Sequence, residues 1–373
     1  MTLSKKQWLF LLIIWLIAQM IFLYSSGIVN VGESENISVA NQLAAGNWKL
    51  DPNYYLYFGH ILIVLLFKLA DIPYNWMYAV QLLVALAAFI CFIKLLEKIL
   101  SNPLSVICAA TLFSICPFFQ SWVSFLSTDS IFANLLIISI YLLSDSFQTR
   151  KYKKWLIILM IILPFFRPVG FLFIPIAIFY WIANRPKKYI SLSIIFSAYF
   201  ILLCFFSWYC LTRPNHFFYP YHNSEANIIC GYPSDLTKFI SEPYDPNKSM
   251  FHFFISNPGM TWRLFINRLY KSFWMTRPFY SDKHNLFITL FLIPYYFLSL
   301  VGAITILRKK FFLKNSYILF GLFIFVLPML LFCADWVNRF ILPAFVFIFI
   351  LMAFGIDFFI KKFYPISSIS YRS

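Results

Sequence analysis

Acidic residues are scarce in this chain: 14 Asp and Glu among 373 residues, against 30 Lys and Arg. Charge as a whole is thin, at 12% of residues, while 61% are hydrophobic and the mean hydropathy is +0.77. No soluble core absorbs that much apolar surface, so a soluble globular domain is excluded and a polytopic membrane protein is implied. The net charge of +16 would suit nucleic acid if the basic residues gathered on a polar domain. They fall instead in short clusters between apolar runs, where membrane topology explains them and no nucleic-acid partner is expected. Cysteine pairs are missing too. Cys91, Cys108, Cys116 and Cys204 lie within apolar runs, and Cys230 alone sits deep in a polar loop. No CxxC motif is present, which removes redox and zinc-finger readings. Glycine is sparse, with 10 residues, against 47 Phe, and the Ile, Leu and Lys usage beside it fits an AT-rich bacterial genome.

What is there is organised by the basic clusters. The apolar run of "MTLSKKQWLFLLIIWLIAQMIFLYSSGIV" is about 20 residues long and lacks a small-residue cleavage site, so a retained first helix is expected. Basic groups recur at Lys5/Lys6, Lys94/Lys98, Arg150/Lys151/Lys153/Lys154, Arg185/Lys187/Lys188, Arg308/Lys309/Lys310/Lys314 and Lys361/Lys362. Placing all of them in the cytoplasm satisfies the positive-inside rule. The expected spans are then 8–29, 77–97, 104–121, 130–146, 154–165, 168–183, 189–211, 285–307, 315–333 and 340–360, about ten in all. An even number returns both termini to the cytoplasm. Residues 54–71 would break that parity, so they are expected to lie on or dip into the outer face. Arg167 and Pro168 divide the long run 155–182, which reads as two short helices meeting at an outer apex. A single kinked helix would bury the Arg, at a cost unless it is paired.

One membrane domain, 1–373, thus carries two sizeable outer segments, 30–76 and 212–284. All five histidines and most acids fall on the outer side, leaving Glu97, Asp145 and Asp357 near the inner ends. A transporter would place ionisable groups midway through the bilayer, where this chain has almost none.

Four outer stretches can carry chemistry. In "GESEN", Glu33 and Glu35 precede "ISVANQLAAG", whose spacing suits a surface helix capped by Ser34 or Asn36. The two acids are either solvated residues favoured by the helix dipole or groups that act at the membrane boundary. In "LSTDSIFANLL", Asp129 stands at a helix entrance, as an N-cap shared with Thr128 or Ser130, as a catalytic carboxylate, or as both. In "MTWRLFINRLYKSFWMTRPFYSDKHN", Arg263, Arg268 and Lys271 alternate with aromatics. Arg277, Asp282, Lys283 and His284 follow. This strip suits either an anionic headgroup, because Arg binds phosphate bidentately, or ordinary snorkelling in an aromatic belt. In "DWVNRFILPAF", Arg339 reads as a phosphate ligand or as a partner of Asp335.

In their order and sidedness these motifs resemble the polyprenyl-phosphate-sugar dependent glycosyltransferases of the GT-C type, a group that includes protein O-mannosyltransferases and aminoarabinose transferases. "GESEN" and "ANQLAAG" stand where that family has an acidic pair and a surface helix. "STDSIFANLL", "FRPVG", "FWMTRPFYSDKHN" and "RFILP" match its later motifs. Two departures stand out: Gly32 occupies the place of the family's Asp, and "YYLYFGHIL", with His60, replaces its Pro-rich segment.

The resemblance implies an all-α, GT-C-like bundle in a bacterial inner membrane, with its active site on the outer face. The implied reaction moves a sugar from a polyprenyl-phosphate carrier to an acceptor hydroxyl on a glycan, lipid or protein, with inversion. Glu33 or Glu35 would be the base, Asp129 would orient acceptor or metal, and Arg277 with Arg339 would hold the phosphate. His60, Arg167, Asp282, His284 and Asp335 complete the expected substrate-binding set. No cofactor is required. A divalent metal is used by some relatives, but no ligand spacing here demands one. The rivals are an O-antigen-type polymerase, a lipid-linked sugar flippase or exporter, and a membrane scaffold.

Overall fold

The computed structural model describes residues 2–30, 34–48, 52–149, 152–184, 238–245, 248, 250–277, 280–308, 312–331 and 339–363. Glu33, Asp335 and the expected span 189–211 lie outside them. The described chain is almost wholly helical. α1 (Lys5–Ser26) begins on a reciprocal cap in which the Gln7 N–H donates to Ser4 Oγ and the Ser4 N–H donates to Gln7 Oε1. Each such cap satisfies backbone donors that the first turn leaves open. After β1 (Val29–Asn30) come α2 (Ser34–Ala44), a 3₁₀ turn (Pro52–Tyr57), α3 (Phe58–Leu69), α4 (Met77–Ile99) and α5 (Pro103–Ile115). Pro117 breaks the next helix, so α6 (Pro117–Gln120) leaves α5 at a bend of 58°. β2 (Phe125–Leu126), α7 (Thr128–Thr149), α8 (Lys153–Phe166) and α9 (Phe173–Asn184) follow. The later elements are α10 (Met250–Ser256), α11 (Pro258–Trp274), α12 (Asp282–Arg308), α13 (Phe312–Leu331), a 3₁₀ turn at Arg339–Ile341, and α14 (Leu342–Phe363).

Five helical stretches among the described residues are long and apolar enough to cross a membrane: Lys5–Ser26, Tyr74–Ile99, Thr128–Asp145, Asp282–Arg308 and Arg339–Phe363. The bent pair Pro103–Ile115 and Pro117–Val123 makes a sixth if it counts as one span. Shorter apolar helices lie at Tyr54–Leu69, Pro168–Asn184 and Asn315–Leu330, and the expected span 154–165 falls on the 14-residue α8. An integral membrane protein is compatible with these lengths.

α14 is the axis. It is buried on every face from Leu342 to Asp357, as expected of a helix hydrophobic all round. α5, α7, α12 and α13 pack around it. α1 instead exposes Leu9, Ile13, Ile17 and Met20, side chains that only hydrocarbon solvates without penalty.

Polar contacts separate the bundle into two ends. At one, the Leu3 N–H donates to Glu97 Oε1 at 2.6 Å, Lys98 pairs with Asp145, and Asp357 accepts from Ser105 Oγ at 2.9 Å and pairs with Lys361 at 2.5 Å. The three acids expected together are together. At the other end, the Val29 N–H donates to the Ser124 carbonyl at 3.0 Å, and Gln81 Nε2 donates to the Ser127 carbonyl at 3.0 Å. α1 therefore ends, and α4 begins, at the same end of the bundle. The intervening α2 and α3 make no net crossing. α2 packs Val39, Ala40 and Leu43 on Ile61, Val64 and Leu65 of α3. It stops at Gly46, whose φ of 85° admits the closing bond from the Asn47 N–H to the Gln42 carbonyl at 2.9 Å.

Among the described residues of 238–257, the Asn257 side chain makes four backbone bonds. Asn257, fully buried, accepts at Oδ1 from the Ser241 and Glu242 N–H groups at 2.6 and 2.9 Å. Its Nδ2 donates to the Glu242 and Phe253 carbonyls at 3.0 and 2.9 Å. Asn257→Ala removes all four bonds and is expected to destabilise this segment by about 2 kcal/mol or more. The check is hydrogen exchange, in which the Ser241 and Glu242 amides lose protection while α14 amides keep theirs.

Candidate functional site

At the Asp129 end, the chain from β1 runs directly into the acidic stretch. β1 and β2 pair in parallel, Val29 opposite Phe125 and Asn30 opposite Leu126. The pairing lines up the chain that leads to Glu33 and Glu35 with the chain that leads to Asp129. Among the described residues the pairing is two residues per strand, and the Gln81 bond to the Ser127 carbonyl holds the chain just after β2.

α7 begins at Thr128, so Asp129 sits inside the first turn and Ser127 occupies the position ahead of the helix. The expected N-cap role of Asp129 is corrected accordingly. Its carboxylate, 2% exposed, takes an ion pair from the Arg167 guanidinium. Arg167 reaches it because α8 ends at Phe166, Arg167 is extended, and a 3₁₀ turn from Pro168 follows. The two-helix reading of that run holds, and the Arg at its apex is buried as well as paired. Gly170 permits the fold-back: a Cβ there would lie 2.5 Å from the Leu163 carbonyl carbon.

Phe340 joins a second cation to the pair. Its ring lies 5.4 Å from the Arg167 guanidinium and 5.1 Å from that of Arg339, within reach of cation–π attraction. His60, on the first turn of α3, is fully buried. Burial pushes its imidazole down to about 4, and the Asp129 carboxylate opposes that shift. At neutral pH it is an uncharged hydrogen-bonding group near Asp129. Four expected residues, His60, Asp129, Arg167 and Arg339, therefore belong to one neighbourhood.

The others are placed differently. Glu35 is exposed on the first turn of α2, a position the helix dipole favours. Asp282 and His284 are exposed on the first turn of α12, and the His284 ring stacks on Tyr280 at 4.6 Å. Arg277 is buried, but its Nη1 donates to the Lys271 and Thr276 carbonyls at 3.1 and 2.9 Å. It thus satisfies the carboxyl end of α11, which the expectation of a phosphate ligand did not include. Arg268 was grouped with the interfacial residues and is in fact buried, donating to the Leu330 carbonyl at 2.7 Å. Its spacing from Met260, Leu264 and Ser272, all on one helical face, was the available signal.

No family model, no curated protein and no solved structure matches this chain. One Asp129 oxygen is held by the Arg167 guanidinium, which fixes the orientation of the carboxylate. Arg339, half-buried, brings a second positive charge to the Phe340 ring that Arg167 also approaches. Among the described residues no three His, Cys, Asp or Glu side chains converge as a metal site would require.

Proposed function

We propose that the chain is an inverting glycosyltransferase that moves a sugar from a polyprenyl phosphate to an acceptor hydroxyl. The observation that supports the reading is the buried Asp129–Arg167 pair with His60 near it and Arg339 on the same Phe340 ring as Arg167, at the end of the bundle where β1 pairs with β2. The motif order resembling the GT-C transferases supports it. In this reading the Asp129 end faces outward from a bacterial inner membrane, both termini are cytoplasmic, and about ten helices span.

In the reaction, Glu33 or Glu35 accepts the proton of the acceptor hydroxyl as its oxygen bonds to the anomeric carbon. The bond from that carbon to the lipid phosphate oxygen breaks, and the phosphate leaves with the electron pair. Arg339 stabilises the charge that develops on it. Asp129, fixed by Arg167, orients the acceptor, and neutral His60 offers a hydrogen bond without a competing charge. Attack opposite the leaving group inverts the centre. Arg277 keeps the end of α11 in place.

The test is mass spectrometry of surface glycans from cells lacking the protein and complemented at matched membrane abundance. One of Glu33→Gln and Glu35→Gln should lower transfer by about 10²- to 10⁴-fold, the usual contribution of a general base. If both variants, together with Asp129→Asn, restore the wild-type profile, the carboxylates carry no chemistry and a polymerase or flippase becomes the better reading.

A further inference from the structure

α11 divides into stripes along its length. Met260, Leu264, Arg268 and Ser272 are buried on one face, Met260 and Leu264 against Phe253 and Phe254, and Arg268 against the end of α13. Trp262, Ile266 and Tyr270 lie on another face, 67%, 46% and 58% exposed, and Trp274 extends that line by stacking on Tyr270. Arg263, Asn267 and Lys271 flank it at the same four-residue spacing, so the outward surface is apolar along one line and cationic along the next. No acidic residue occurs from 246 to 281, a stretch that carries five basic ones.

The depth of the helix comes from a separate contact. The Tyr296 hydroxyl donates to the Phe273 carbonyl, and the two rings are 6.0 Å apart. Tyr296 lies well inside the candidate span α12, between exposed Ile293 and Phe297. The last turn of α11 is thus level with side chains that face hydrocarbon if α12 spans. The buried face of the same helix holds the end of α13 through Arg268, and α11 also touches the 3₁₀ turn that carries Arg339.

We infer that α11 is seated in the bilayer surface at the Asp129 end, with Trp262, Ile266 and Tyr270 at the acyl boundary and Arg263 and Lys271 on anionic phospholipid headgroups. The occupant is bulk anionic lipid rather than the sugar donor, and the inference stands independently of the transferase reading. Aromatics and snorkelling cations are the side chains that this layer favours. A helix fixed in this way ties the position of Arg339 to the membrane surface.

The experiment uses the full chain in POPC vesicles, with and without POPG, and a phospholipid carrying a photoactivatable diazirine in its acyl chain. Labelled residues are mapped by mass spectrometry, and Ile13 and Ile17 on the exposed face of α1 serve as reference. The expected result is label on Trp262, Ile266 and Tyr270 as well as on the reference positions. Label on α1 with none on α11 overturns the inference. Arg263→Gln and Lys271→Gln should each lower the POPG preference of α11 labelling by about fivefold, the equivalent of one surface charge. An unchanged preference in the double variant overturns the headgroup assignment.

Discussion

Gly355→Leu should leave little or no folded protein, and Gly302→Leu should do the same. The two glycines face each other across the α12–α14 crossing. A Cβ on Gly302 would lie 1.8 Å from the Leu351 carbonyl oxygen, and one on Gly355 would lie 2.0 Å from that of Leu298. Both obstacles are backbone, so no side-chain rotation relieves them. Ser299 adds to the same seam by donating to the Ile348 carbonyl at 2.8 Å. In a bilayer, helices associate through close backbone approach rather than hydrophobic transfer, so small residues at the crossing are what make it strong. Overpacking a core ordinarily costs about 1–3 kcal/mol, and here the central helix itself must move. Size-exclusion profiles of detergent-solubilised protein read the outcome directly, with loss of the monodisperse peak expected for both variants. A normal profile would mean that α12 and α14 do not cross at these glycines.

The second large effect is expected at the Asp129–Arg167 pair. Arg167→Gln leaves a carboxylate with 2% exposure deprived of its cation, and breaking a buried pair from one side costs about 3–5 kcal/mol. Asp129→Asn strands the guanidinium instead, with a loss of similar size. The double variant Asp129→Asn with Arg167→Gln carries no charge into the site and should regain a large part of the stability lost by either single variant. Thermal unfolding of the purified proteins measures the cycle. Losses that simply add would show that the two residues do not interact. Transfer activity separates stability from function, because a stable double variant that remains inactive shows that the pair does more than hold the fold.

The helices and their two ends were legible from apolar runs and basic clusters, since both follow from hydrocarbon thickness and charge placement. The grouping of Glu97, Asp145 and Asp357 at one end followed from parity alone. The return of α3 to its starting end was legible for the same reason, and so was the break at Arg167–Pro168. The partner of Arg167 was not, because the pair depends on the register between α7 and α8, which no local pattern encodes. β1 and β2 escaped notice because two residues each are too short for an alternation signal. The burial of Arg277 and its bonds to the Lys271 and Thr276 carbonyls were not legible, because exposed and buried arginines read alike when a turn hides which way the chain folds back. The glycine crossing is a property of two helices 53 residues apart, and neither sequence alone marks it.

The account stands or falls on transfer from a lipid carrier. The most direct measurement compares polyprenyl-phosphate-linked sugars and surface glycans, by mass spectrometry, in cells with and without the protein. The account predicts that one lipid-linked sugar accumulates in the deletion while the same sugar disappears from the surface glycan, and that wild-type complementation reverses both. Unchanged lipid-linked sugars together with an intact surface glycan would contradict it.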